Sequence, residues 1–276
     1  MGRGKEIKKM TLLSDTRYIF IRYLTKLVRT PILLFFSLFQ PILFLVLFTQ
    51  LLTNLAKVPG ILPTINGVPI PYLEFAAAGI VMQNAFGSAL QSGNSIVADI
   101  DSGFLQKMLV TPVNRTAILL GRLSSDAFRV VIQTAIILGL GYALGAAENK
   151  PFYVTTGVVG ILLIFFTLAF FGLAWSGISL ALGMKTRSSE TVFAIGGVIT
   201  FPLLFLSPAL FPLSFLPSWV QTVSMFNPVS YCVTATRALM INGYQWSTIL
   251  PAWGVIGLVA IITMSATLYQ FRKVVS

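Results

Sequence analysis

For carboxylate, imidazole and thiol chemistry this 276-residue chain offers eight carboxylates, no histidine and one cysteine, Cys232. Without histidine the commonest general base and metal ligand is missing, and a lone cysteine excludes a disulfide within the chain. Four of the eight sit at the edges of apolar stretches: Glu74 at an outer boundary, Asp99 and Asp101 in a cytosolic loop, Glu190 at an inner boundary. Only Asp126 enters an apolar stretch, between Arg122 and Arg129, with the three at i, i+4 and i+7 on one helical face. That spacing permits an ion pair between Asp126 and Arg129 but gives no paired carboxylates for acid–base work. A carrier coupled to protons or sodium ions needs acidic groups near the membrane midplane, so the pattern weighs against that class. The glycines never fall into G-x-x-x-x-G-K-[ST], so nucleotide phosphates find no cradle of that kind. The expectation is a chain with no catalytic residue, metal or cofactor of its own.

Two other groups of residues can do binding chemistry. Gln83, Asn84, Ser88 and Gln91, followed by Ser92, Asn94 and Ser95, make one apolar stretch hydrophilic for a lipid-facing helix. They suit a pathway for a polar group, contact with another subunit, or hydrogen bonding between helices alone. The second group lies in ADIDSGFLQKMLVTPVNRTAILLGR. There Gly103 can punctuate the chain, Phe104 to Val110 can form a short amphipathic helix, Pro112 can stop it, and Asn114 or Thr116 can cap the next helix. Phe104, Leu105, Met108 and Leu109 are then apolar residues close to water, which marks a docking surface for a partner.

The elements that must position these residues are membrane helices. Only 10% of the residues are charged and 56% are hydrophobic, with a mean hydropathy of +0.86; a soluble domain carries about 25% charged residues. Apolar stretches at about 31–55, 73–97, 116–146, 153–183, 190–210 and 248–271 give six spans in a single transmembrane domain covering residues 1–276. Between the fifth and sixth, residues 211–236 carry Pro212, Pro217 and Pro228, which predicts a broken segment re-entering one leaflet. Residues 1–30 are too charged for a signal peptide and read as an amphipathic helix lying on the cytosolic leaflet. Gly172, Ser176, Ser179 and Gly183 offer a small-residue surface for close helix packing. Lysines and arginines crowd the loops on the side of both termini, while Lys57, Lys150 and Arg237 alone fall outside. The formal charge of +11 is thus a topological signal and not one of nucleic-acid binding.

The chain resembles the ABC-2 type transporter permeases, particularly their daunorubicin-resistance-like drug exporter branch. The resemblance is carried by Arg29-Thr30-Pro31 at the start of the first span, by YLEFAAAGIVMQNAF, and by the loop quoted above. It is densest in FPLLFLSPALFPLSFLPSWVQTVSMFNPVSYCVTATRALMINGY, where Pro202, Ser207, Pro212, Pro217, Asn227, Pro228, Tyr231 and Arg237 fall at signature positions. Pro208 stands where a small residue is usual, and Ile100-Asp101 where the loop usually has an acidic dipeptide.

The resemblance implies an all-α integral membrane protein of ABC-2 exporter type, in the cytoplasmic membrane, with both termini cytosolic. It implies two permease copies, as a homodimer or a heterodimer with a related chain, and two copies of a separate ABC ATP-binding subunit that holds ATP and Mg²⁺. Asp101, Gly103, Phe104, Leu105, Met108, Thr111, Pro112 and Arg115 would couple to that subunit, and 211–236 would form paired short helices in the outer leaflet. The expected cargo is an amphipathic drug-like or lipid-like compound; the alternatives are a lipid-linked glycan or an ATP-independent channel. Cysteines introduced at residues 66 and 107 should be labelled from opposite faces of the membrane. Labelling of both from one face would end the six-span reading.

Overall fold

The computed structural model describes residues 12–52, 64–65, 68–69, 72–111, 113–147 and 152–275. The first helix, α1 (Leu12–Arg29), is amphipathic: Asp15, Ile19 and Tyr23, four residues apart, form its buried face. Thr30 breaks the helix, and Pro31, whose missing N–H costs nothing in a first turn, begins α2 (Pro31–Leu52) at a bend of 69°. After a two-residue antiparallel ladder, Thr64–Ile65 with Val68–Pro69, comes α3 (Tyr72–Asp101). Gly103, at φ 67°, turns the chain into the short α4 (Phe104–Leu109).

Asn114 then opens α5 (Arg115–Ala147), its side-chain oxygen accepting from the Thr116 N–H at 3.0 Å. Helix α6 (Gly157–Thr186) ends at Arg187 in the left-handed region, and Ser188 caps α7 (Ser189–Phe205) by accepting from the Thr191 N–H at 3.2 Å. A single 3-10 turn at Leu213–Phe215, α8 (Ser218–Ser224) and α9 (Pro228–Arg237) follow, then a π-helical turn at Ala238–Asn242 and finally α10 (Trp246–Val275).

This is an all-α membrane protein. By length and composition α5, α6 and residues 246–273 of α10 can each cross a bilayer, and α1 with α2 forms a bent pair that passes the same test. Helix α3 is long enough, but its polar residues dilute its hydropathy. Several boundaries depart from the sequence reading, and the span expected to reach 210 ends at Phe205. The loop expected at 99–115 begins later, because α3 continues through Asp101. The span expected from 153 begins at Gly157, because Phe152 to Val154 are irregular and Thr155–Thr156 form a turn beside the π-helical turn: the Thr155 N–H donates to the Met240 carbonyl at 2.9 Å and the Thr156 hydroxyl to Leu239 at 2.6 Å.

Helix α3 is the central post, buried on almost every side by α2, α5, α6, α7 and α9. Phe86 at its middle meets the Trp175 ring edge-on at 4.5 Å and Phe171 at 5.4 Å. Small residues bring α6 against it. The Ser179 hydroxyl donates to the Ala89 carbonyl and accepts from the Gly93 N–H, both at 2.7 Å. A Cβ at Gly183 would stand 2.6 Å from the Gly93 carbonyl oxygen. On its other side α6 receives α10, whose Thr263 and Thr267 donate to the carbonyls of Ala174 and Gly177, each at 2.7 Å. A second apolar cluster, with Ile19, Leu105, Ile118, Leu180 and Phe271, closes the α4 end.

Gly183→Val should therefore cost about 1–3 kcal/mol through overpacking of the α3–α6 contact. Gly139→Ala, where an added Cβ meets nothing within 4 Å, should gain about 0.5–1 kcal/mol of helix stability. Thermal unfolding in a mild detergent reads both, and equal midpoints for the two variants would contradict the packing described.

Candidate transport site

The polar face of α3 opens onto a groove of about 750 Å³. Its walls are the end of α1, α2, α3, α5 and the start of α7, and it runs from the α4 end to about the middle of the helices. Gln83, Asn84, Ser88 and Gln91 all line it, because positions spaced by three and four residues share one side of a helix. Asp126 and Arg129 of α5 face the same space. The Asn84 amide donates to Gln133 Oε1 at 3.3 Å, and Gln133 Nε2 donates to Ser37 Oγ at 2.8 Å, so one chain of polar groups links α3, α5 and α2. Leu34, Phe36 and Phe193 supply the apolar part of the lining.

At the α4 end of the groove lies a buried ion network, of which Tyr23, Lys26 and Arg122 belong to the lining. The Arg122 guanidinium, 2% exposed, donates to Asp99 Oδ2 at 2.8 Å, to the Tyr23 hydroxyl at 3.1 Å and to the Ser92 carbonyl at 3.0 Å. Tyr23 in turn donates to Asp99 Oδ2 at 2.7 Å. Burial pushes the Tyr23 phenol above its ordinary value, which keeps the proton on and the hydroxyl a donor. Lys26 approaches Asp99 Oδ1 at 3.6 Å from a half-exposed position.

One turn along, Arg129 pairs with Asp126 at 3.0 Å and donates to Ser88 Oγ at 2.9 Å and the Ser88 carbonyl at 2.6 Å, while the Ser92 hydroxyl donates to Asp126 Oδ2. The sequence shows the Asp126–Arg129 spacing, yet it leaves Arg122 without a carboxylate of its own. That surplus cation on an apolar face is the signal for a long-range partner. The partner, Asp99, is 2% exposed in the last turns of α3, which corrects its expected place in a loop.

The residues expected to couple to a partner subunit separate into two faces. Leu105 is 1% exposed and belongs to the inner cluster, so it is unavailable to a partner. Phe104 is half-buried under the Arg22 guanidinium, 3.3 Å from the ring centroid. Asp101, Thr111 and Arg115 are exposed, Gly103 and Met108 intermediate, and Val110 is 85% exposed; Pro112 lies outside the described residues. Helix α1 braces this hairpin, because the buried Asp15 accepts from the Asn114 N–H at 3.0 Å.

At the opposite end, the signature residues tie irregular backbone together. The Asn227 amide donates to the carbonyls of Leu203 and Leu206 at 2.6 and 3.1 Å, and its oxygen accepts from the Val229 N–H, with Pro228 at the first helical position of α9. Ser207 donates to Leu204 at 2.6 Å and Tyr231 to Met225 at 2.9 Å. Pro202 lies inside α7, while Pro212 and Pro217 precede the 3-10 turn and α8. Arg237, expected on the outer surface, is instead stacked 3.7 Å over the Phe75 ring and donates to the Pro208 carbonyl at 2.8 Å. Its role is to cap loose carbonyls.

Among the described residues no group of three or more acidic, cysteine or histidine side chains is arranged to hold a metal ion. The ABC-2 type transporter family model matches residues 14–241. A relative from Pyropia yezoensis, provisionally named transport permease ycf38, is 31% identical over 94% of this chain and 86% of its own length. Its counterpart from Cyanophora paradoxa is 34% identical over 82% and 77%. The daunorubicin resistance ABC transporter permease protein DrrB1 of Streptomyces coeruleorubidus is 28% identical over 87% and 80%.

Removing one partner of a buried pair leaves the other charge uncompensated, so Asp99→Asn should destabilise the protein by about 3–5 kcal/mol. Adding Arg122→Met to that variant should recover a large part of the loss. Unfolding of single and double variants in detergent forms a cycle that checks the coupling, and simple additivity would show that the two side chains do not act as a pair.

Proposed function

This chain belongs to the ABC-2 type transporter family, and from that premise we propose that it is the permease subunit of an ATP-driven exporter moving an amphipathic drug-like or lipid-like compound out of the cytoplasm. The observation that carries the reading is the groove, in which hydrogen-bonding groups of α3 and α5 face apolar side chains of α2 and α7. Such a lining suits a molecule with a polar head and an apolar body. The chain itself is a transport subunit and not an enzyme.

In this reading α2, α3, α5, α6, α7 and α10 are six spans in the cytoplasmic membrane, both termini are cytosolic, and α1 lies on the inner leaflet. Two copies of the permease, identical or related, work with two ABC ATP-binding subunits, which bind ATP and Mg²⁺. The exposed side of α4, with Lys107, Val110 and Thr111, is the surface that meets the ATP-binding subunit. The buried network gives the resulting force a route: a push on α4 and α1 reaches both groove walls, because Tyr23, Asp99 and Arg122 fasten α1 to α3 and α5. The groove then changes the side to which it opens. Residues 211–236, with Trp219 and Phe226 exposed, dip into the outer leaflet and close the exit.

Co-expression with a Walker-motif subunit should yield a complex that moves a fluorescent amphiphile across proteoliposome membranes only with hydrolysable ATP. Val110→Asp should reduce copurification by about tenfold or more, since a charge must be desolvated against an apolar groove, while leaving the purified permease folded. ATP-independent movement would overturn the exporter reading, and an undiminished complex would overturn the docking face.

A further inference from the structure

The charges around the groove do not balance. Arg129 has its own carboxylate in Asp126 at 3.0 Å, and Arg122 has Asp99 at 2.8 Å. Lys26 lines the groove half-exposed and, among the described residues, pairs only with the other oxygen of that same Asp99, at 3.6 Å. Three cations therefore share two carboxylates, and one positive charge is left at the α4 end.

A second, independent feature lies in the same lining. Asn94 is 8% exposed, and neither its amide nitrogen nor its oxygen has a partner among the described residues. A buried amide with both functions idle is costly unless something else satisfies it. Asn84, on the same helix, is by contrast held by Gln133. Leu34 and Phe193 line the remaining wall with apolar surface, and Phe193 is 55% exposed.

We propose that the groove selects amphiphiles with an anionic oxygen head, such as a phosphate, over those with a cationic head. The head lies at the α4 end, where Lys26 supplies the uncompensated charge and Asn94 a donor to the anionic oxygens, with its own carbonyl left for a hydroxyl. The apolar body lies along Leu34 and Phe193. This rests on the groove being the cargo pathway and goes beyond it by assigning the sign of the cargo's charge. A quaternary ammonium head meets the wrong sign at Lys26 and has no hydrogen to give the Asn94 carbonyl.

The test uses the full chain, purified in an uncharged maltoside detergent at low salt. Three dodecyl probes share one tail fluorophore and differ in the head: phosphate monoester, hydroxyl or trimethylammonium. Fluorescence anisotropy should show the phosphate probe binding about tenfold tighter than the trimethylammonium probe. Lys26→Gln should remove most of that preference, Lys26→Arg should keep it, and Asn94→Leu should weaken the phosphate and hydroxyl probes severalfold, each variant eluting as the parent does on size exclusion. Equal affinities for the three heads, still weakened by Asn94→Leu, would overturn the charge preference while supporting the groove as a binding site. Absence of saturable binding by every probe would overturn both. Full displacement of the phosphate probe by millimolar inorganic phosphate would show a free-anion site in place of one for an amphiphile; no displacement supports the proposal.

Discussion

A guanidinium enclosed by apolar helices has to be matched by a carboxylate and by enough hydrogen-bond acceptors, or the desolvation penalty unfolds the site. Arg122 meets that requirement by drawing Asp99, Tyr23 and the Ser92 carbonyl around it, from α3, α1 and again α3. The consequence is geometric. Helix α1, whose own sequence would let it rest anywhere on a membrane surface, is fixed across α5, and the end of α3 is held where Ser88 and Gln91 face the groove. Gly121 completes the contact: a Cβ there would be 2.7 Å from the Thr16 carbonyl oxygen and 2.8 Å from Ile19.

The two ends of the bundle solve the problem of apolar surroundings differently. At the α4 end charged groups are paired with one another. At the other end the chain is irregular, and neutral or singly charged side chains satisfy its carbonyls: Asn227 on Leu203 and Leu206, Arg237 on Pro208, Thr155 and Thr156 on the π-helical turn. Broken backbone at membrane depth is tolerated only with such partners. Prolines make the breaks, and the capping side chains make them affordable. Between the two ends, α6 uses small residues to approach α3 and α10 closely, so the groove side of α3 is backed by a rigid wall.

That arrangement relates the groove to the outside of the molecule. Asn84, Ser88, Asp126, Arg129 and Gln133 are held by one another and by Ser37 of α2, so this part of the lining is preformed and not assembled by a ligand. The same helices carry the network to α1 and the bracing of the α4 hairpin through Asp15. The hairpin, α1 and the groove walls are thus joined by contiguous contacts.

Much of this protein is legible in its residues taken in order. Charge-free stretches and proline placement show helices and breaks, because a bilayer sets the length of a spanning helix and proline removes a donor. The polar face of α3 and the Asp126–Arg129 pair are equally local, since helical periodicity alone puts positions three and four apart together. The signature around Asn227 and Arg237 identifies the family. Tertiary structure alone decided which polar groups have partners. Asp99 reads as a loop residue until α3 is seen to run past it, and Leu105 as an exposed knob until it is seen inside the apolar cluster with Ile19 and Ile118. Arg237 reads as an outer charge until Phe75 and the Pro208 carbonyl are brought beneath it. In each case the deciding neighbour is distant in the chain, and burial, which sets the energetics of a charge or an apolar side chain, depends on that neighbour and not on the local sequence.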